Sequence, residues 1–143
     1  MDKNQPDRGK TMDILKKTVC PIVLASLWIA LSEFFRNQYL FFSYWSEHYK
    51  KYGLIFPSDP VNGAVWGLWS LLFSVFIYII LKKFSLLQTT LLAWFVGFVL
   101  MWLVIWNLNV LPNGLLYFAV PLSLLEVFVA AFIIKKISSR SEK

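Results

Sequence analysis

The sequence predicts an all-α integral membrane protein, a bundle of four transmembrane helices with both termini on the cytoplasmic side. Three observations carry that prediction. Of 143 residues, 58 % are hydrophobic and only 15 % are charged, where a typical soluble domain has about a quarter of its residues charged. Four apolar runs each reach about 20 residues, which at 1.5 Å rise per residue matches the ~30 Å thickness of a hydrocarbon core. Lysine and arginine gather at alternate ends of those runs, the asymmetry that sets orientation in a membrane.

The membrane domain is expected over residues 18–136, with spans near 18–36, 60–81, 86–106 and 115–134. Residues 1–17, MDKNQPDRGKTMDILKK, carry no periodic apolar face and read as a mobile basic tail. The first span starts after Lys17 and continues less purely through Ser32, Glu33, Phe34 and Phe35 to Arg36. Its basic flank, short apolar stretch and Ala30-Leu31-Ser32 triplet also fit a secretory signal cleaved before Glu33. Against that, the following residues FFRNQYLFFSYW stay as bulky as an embedded helix end.

The connection 37–59 holds Tyr39, Phe41, Phe42, Tyr44, Trp45, Tyr49, Tyr52 and Phe56. Such rings favour the headgroup level, so an external interfacial segment is expected here. Either the first helix runs on to about Trp45 or a short second helix follows it, before a turn near Gly53 and Pro57. Asp59-Pro60 reads as a helix start, with Asp59 as cap and Pro60 in the first turn. Ser85 and Gln88 have capping-box spacing ahead of the third span, and Pro112-Asn113-Gly114 is turn chemistry ahead of the fourth. Residues 137–143 form a short basic tail.

Eleven of the fourteen basic residues fall at the ends predicted to be cytoplasmic, leaving Arg36, Lys50 and Lys51 on the other side. A bacterial inner membrane is the expected location. The basic residues sit at span ends and not in a patch interleaved with stacking aromatics, so nucleic acid is not an expected partner. The expected partners are the lipid bilayer and either a second copy of the chain or a larger membrane protein. Cys20 is the only cysteine and His48 the only histidine. An intrachain disulfide, a multi-cysteine metal site and bis-histidine haem ligation by one chain are therefore excluded, and no cofactor or metal is expected.

Residues 70–85, SLLFSVFIYIILKKFS, align without gaps on residues 123–138, SLLEVFVAAFIIKKIS. Duplication of a helical hairpin would produce this echo, and so would chance similarity between apolar helices ending in Lys-Lys.

In lipid, helices pack through small and polar residues at three- and four-residue spacing. The expected inner stripes are Ser26, Ala30, Glu33 and Asn37 in the first span; Gly63, Gly67, Ser70 and Ser74 in the second; Thr90, Ala93 and Gly97 in the third; Ala119, Ser123, Glu126 and Ala130 in the fourth. The two glutamates fall on these stripes. An ionisable group in mid-membrane costs at least about 2.5–3.5 kcal/mol on insertion scales, so it faces the interior and finds a partner. Arg36, three residues after Glu33, is in reach of it on one helical face. Glu126 lies eight residues before Ile134, about 12 Å inside the span, with no basic residue within a turn of its own helix. Pro121 interrupts the helix ladder five residues earlier and leaves the Tyr117 carbonyl without its usual donor.

Glu126, Glu33, Arg36, Ser123 and Asn37 are thus the candidates for binding a proton or substrate. Gly63, Gly67, Ser70, Ser74, Gly97 and Pro121 are the candidates for helix packing. Glu126 can act as a protonatable group, or as packing glue hydrogen-bonded to Ser70, Ser74 or Gln88. A glutamate in the first of four spans, with Trp28 before it, resembles small drug-exporting transporters. The long external loop, Arg36 and the second glutamate depart from their pattern, and no family is assigned.

No nucleotide loop, metal cluster or catalytic triad is present in the sequence, which favours a non-enzymatic role. Two readings stand: a small transporter or channel subunit that uses a buried protonatable glutamate, and a non-catalytic scaffold or accessory subunit whose polar residues are structural. An enzyme acting at the external face through His48 and Asp59 is a distant third.

Overall fold

The computed structural model describes residues 8–140. Among them, all regular structure is helical. Four helices are long and apolar enough to cross a membrane: α1 (Thr11–Leu40), α3 (Pro60–Leu81), α4 (Leu86–Asn107) and α5 (Leu116–Arg140), with a short helix, α2 (Phe42–Lys50), between the first two. The outer surface of the bundle is apolar, with Leu31, Phe34, Val65, Leu68, Leu72 and Leu103 among the large side chains left exposed. Water does not tolerate so continuous a patch; hydrocarbon does.

The residues read as a mobile tail are helical from Arg8 onward. A Lys17–Asp13 ion pair of 3.6 Å, one turn apart, supports this turn, and contacts to other helices fix the start of the span itself. Thr18 and Tyr78 share a hydroxyl hydrogen bond of 2.9 Å, and the Ser138 hydroxyl donates to the Lys17 carbonyl at 3.2 Å. Pro21 explains the second bond, because it has no N–H to offer the carbonyl four residues before it. Ser138→Ala should lower stability by about 0.5–1.5 kcal/mol, read as a drop in thermal midpoint in detergent. Residues 1–7 of the expected tail and residues 141–143 lie outside the described residues.

α1 runs without a break through Ala30-Leu31-Ser32 and ends at Leu40, beyond the expected boundary at residue 36. Its last turn is widened, the Phe41 N–H bonding the Arg36 carbonyl at 2.9 Å, and the chain then bends into α2. The buried face of α1 is Pro21, Ala25, Ile29, Glu33 and Arg36. Ser26, Ala30 and Asn37 of the expected stripe are only half-buried, since the true inner face is turned by about one residue. In α5 the whole expected stripe is buried: Ala119, Ser123, Glu126 and Ala130.

Helix starts follow local chemistry. Ser85 and Gln88 make both bonds of a capping box, 3.3 and 3.0 Å. Pro60 opens α3, but Asp59 makes no side-chain cap; its backbone carbonyl alone accepts the Asn62 N–H at 2.9 Å. Gly114, before α5, holds φ +80°, a left-handed conformation that favours glycine.

α1 packs against α3 on one side and α5 on the other, and α4 packs against α5 and closes against α3. The centre is aromatic, with Trp69 stacked on Phe73 at 4.8 Å and Phe98 tilted against Trp102 at 5.7 Å. Gly97 is where α4 meets this stack, since a Cβ there would lie 2.6 Å from the Phe73 ring. Gly97→Ala should therefore destabilise by about 1–3 kcal/mol, and Phe73→Leu should relieve most of that loss in the double variant. Gly63 and Gly67, expected as packing residues, behave differently: a Cβ at either meets nothing within 4 Å. They border a cavity.

Candidate functional site

Two helices, α1 and α5, bring the buried charges together, and α4 adds a ring beside them. Arg36 sits near the end of α1, and because Cα–Cβ bonds tilt toward a helix N-terminus, its long side chain runs back into the bundle. There its Nη1 donates to Glu126 Oε2 on α5 at 2.9 Å, and its Nη2 donates to Glu33 Oε1. The guanidinium also lies over the Phe98 ring of α4, 5.1 Å from the centroid, a cation–π contact. Arg36 and Phe98 both lie in widened helical turns, Arg36–Leu40 and Phe95–Val99, a distortion frequent at functional sites.

The triad is sealed from solvent, with relative exposures of 4 % for Glu33, 6 % for Arg36 and 1 % for Glu126. Its surroundings hold it in place. Asn37 Nδ2 donates to Glu33 Oε2 at 2.7 Å and to the Glu33 carbonyl at 3.1 Å, and Trp45 of α2 donates to Asn37 Oδ1 at 3.1 Å. From lower on α1, Trp28 donates to the backbone carbonyl of Glu126 at 3.0 Å. Among the described residues, Glu126 Oε1 receives no hydrogen bond.

Two carboxyls share one guanidinium. With all three groups ionised the site holds one negative charge too many, and inside a bundle such an imbalance is expensive. One added proton, or one cation, restores neutrality.

Beside this triad lies a cavity of about 670 Å³ in the half of the bundle remote from residues 8 and 140. Glu33, Arg36 and Asn37 line its polar side. Phe34, Phe41, Trp45, Tyr49, Phe56, Trp66 and Trp102 supply rings around it, Gly63 and Gly67 leave one wall bare, and Asp59 stands exposed at its edge. Glu126 does not line it and communicates through Arg36. Helix α2 closes the top: Trp45 stacks on Phe56 at 6.1 Å, and the His48 ring nitrogen Nε2 donates to the Asn109 carbonyl at 2.8 Å.

Several sequence-chosen residues are engaged elsewhere. Ser123 accepts from Trp94 at 2.9 Å and donates to the Val120 carbonyl, which joins α4 to α5 and leaves the triad aside. Ser70 and Ser74 donate to the carbonyls one turn back, Trp66 and Ser70, at 2.8 Å each, and Gln88 is spent on its cap. None of the three is the partner of Glu126. Pro121 lies inside α5 between Ser123 and the helix start. His48 and Asp59 serve separate places, a loop carbonyl and the cavity edge.

Trp28, Trp45 and Phe98 complete the site; the sequence singles out Trp28 beside Glu33, and its pattern does not mark Trp45 or Phe98 as members. Only the position of Phe98, next to the glycine of α4, hints at a packed interior ring. No protein-family model, curated protein or solved structure matches this chain.

Proposed function

We propose that this protein is a small proton-linked carrier of organic cations, with the carboxyls of Glu33 and Glu126 holding the exchangeable proton around Arg36. The supporting observation is the charge imbalance of the triad at the side of an aromatic cavity large enough for a small molecule. Rings and acids together favour a flat cation over an anion, since the one base present is already committed to two carboxylates. A cation entering near Glu33 competes with Arg36 for that carboxylate. Arg36 then rests on Glu126 alone, the site no longer needs its extra proton, and the proton leaves.

The bare wall at Gly67 supplies the test. Gly67→Leu projects a side chain into open space, so folding is retained, and uptake of ethidium into proteoliposomes driven by a pH gradient should fall at least about tenfold as the cavity fills. Unchanged uptake would sink the proposal. A scaffold reading draws support from the Arg36 bond to Glu126, which fastens α1 to α5. It requires that no flux be measurable in the native chain.

Orientation with both termini in the cytoplasm of a bacterial inner membrane is proposed on the charge count. Arg36, tallied from the sequence at the opposite side, is interior, which leaves only Lys50 and Lys51 there. A reporter enzyme fused after residue 143 should be active in its cytoplasmic form. The cavity wall formed by Gly63, Val65 and Trp66 is exposed, so a second copy or a larger membrane partner is proposed to cover it.

A further inference from the structure

A second cleft, about 490 Å³, opens at the other end of the bundle among α1, α3 and α5. Each helix or its immediate end brings one lysine to it: Lys17, Lys82 and Lys135. Among the described residues, Asp13 is the one acid along its lining, and it is paired with Lys17 at 3.6 Å. Two positive charges are left over. The lysines are at the surface, and interhelical bonds hold together the helices that present them: Thr18 to Tyr78 at 2.9 Å and Ser138 to the Lys17 carbonyl at 3.2 Å. Lys82 Nζ is held 4.5 Å above the Tyr78 ring. Below the lysines the cleft is apolar, with Ile134 only 1 % exposed.

Basic above and greasy below, at the depth where apolar spans end, is the layout that suits a phosphate ester with an acyl chain. The sequence echo adds a second, independent pointer. Lys82 and Lys135 occupy equivalent places in the aligned stretches 70–85 and 123–138, and the fold brings these two equivalent lysines to one cleft.

We propose that this cleft binds a phosphate group, carried by an anionic phospholipid headgroup or free in solution. The lysines would neutralise it, and whichever of the Thr18 and Tyr78 hydroxyls accepts in their shared bond would donate its own hydrogen to it. The proposal stands apart from the carrier reading, since it uses none of the triad or the cavity beside it.

The test is native mass spectrometry of the full chain in detergent with phosphatidylglycerol, against phosphatidylcholine. A single phosphatidylglycerol should be retained, and the variant Lys17→Gln/Lys82→Gln/Lys135→Gln should lose it at least about tenfold. A variant of equal charge change outside the cleft, Lys51→Gln/Lys83→Gln/Lys136→Gln, should keep it. Equal loss in both variants, or retention in the first, overturns the proposal; if the triple variant does not fold, Lys82→Gln alone carries the same comparison. A parallel titration with inorganic phosphate separates the sources. Thermal stabilisation by phosphate that also displaces the lipid assigns a free-phosphate site, lipid retention indifferent to phosphate assigns a headgroup site, and neither effect in the native chain refutes both.

Discussion

Glu126→Gln should reduce proton-driven ethidium uptake at least about tenfold while leaving the fold intact. The amide is nearly the same size, and its oxygen still accepts from Arg36 Nη1, which lies 2.9 Å from the native carboxylate. What changes is the charge count. With glutamine in place, Glu33 and Arg36 balance by themselves, and the site no longer has a reason to take up a proton. Stability should stay within about 1 kcal/mol of the native chain. Retained uptake with retained stability would mean that Glu126 is packing only.

Arg36→Met should have the largest effect on stability. The side chain remains long and apolar enough to fill the space over Phe98, but two buried carboxyls then face each other without a counter-charge. Removing one partner from a buried ionic cluster leaves an uncompensated charge, a loss of about 3–5 kcal/mol. Acidification should restore part of it, because a protonated carboxyl can donate to its neighbour where two carboxylates repel. Thermal midpoints in detergent from neutral to acidic pH check both statements. A native-like midpoint at neutral pH would show that the guanidinium is dispensable.

The helices were legible because hydrophobic length and cap chemistry are local. Ser85 and Gln88 announce the start of α4 by spacing alone, and the four apolar runs announce themselves by composition. The site was legible only in part. Glu33, Arg36 and Glu126 stood out as ionisable groups in greasy surroundings, but their meeting depends on a long side chain reaching back along α1 and across to a helix ninety residues later. Spacing along one helix cannot show that. For the same reason Ser70, Ser74 and Gln88 looked like partners for Glu126, whereas nearby backbone carbonyls and a helix cap claim them first. The glycines divide on similar grounds. Gly97 faces an interior ring, Gly67 faces a cavity, and the residue type alone does not distinguish the two. In α1 the inner face runs through Ala25 and Ile29, one residue before Ser26 and Ala30, within a regular stretch of helix, so the small and polar residues alone do not mark it.

Coupling between the triad and the cavity is measured most directly by a trapped pH dye in proteoliposomes with an imposed pH gradient. Added ethidium should speed the collapse of that gradient with the native chain, and should leave it at the protein-free rate with Glu126→Gln. A native chain whose gradient decays at the protein-free rate in the presence of ethidium would contradict a shared proton around Arg36 that gives way to a cation.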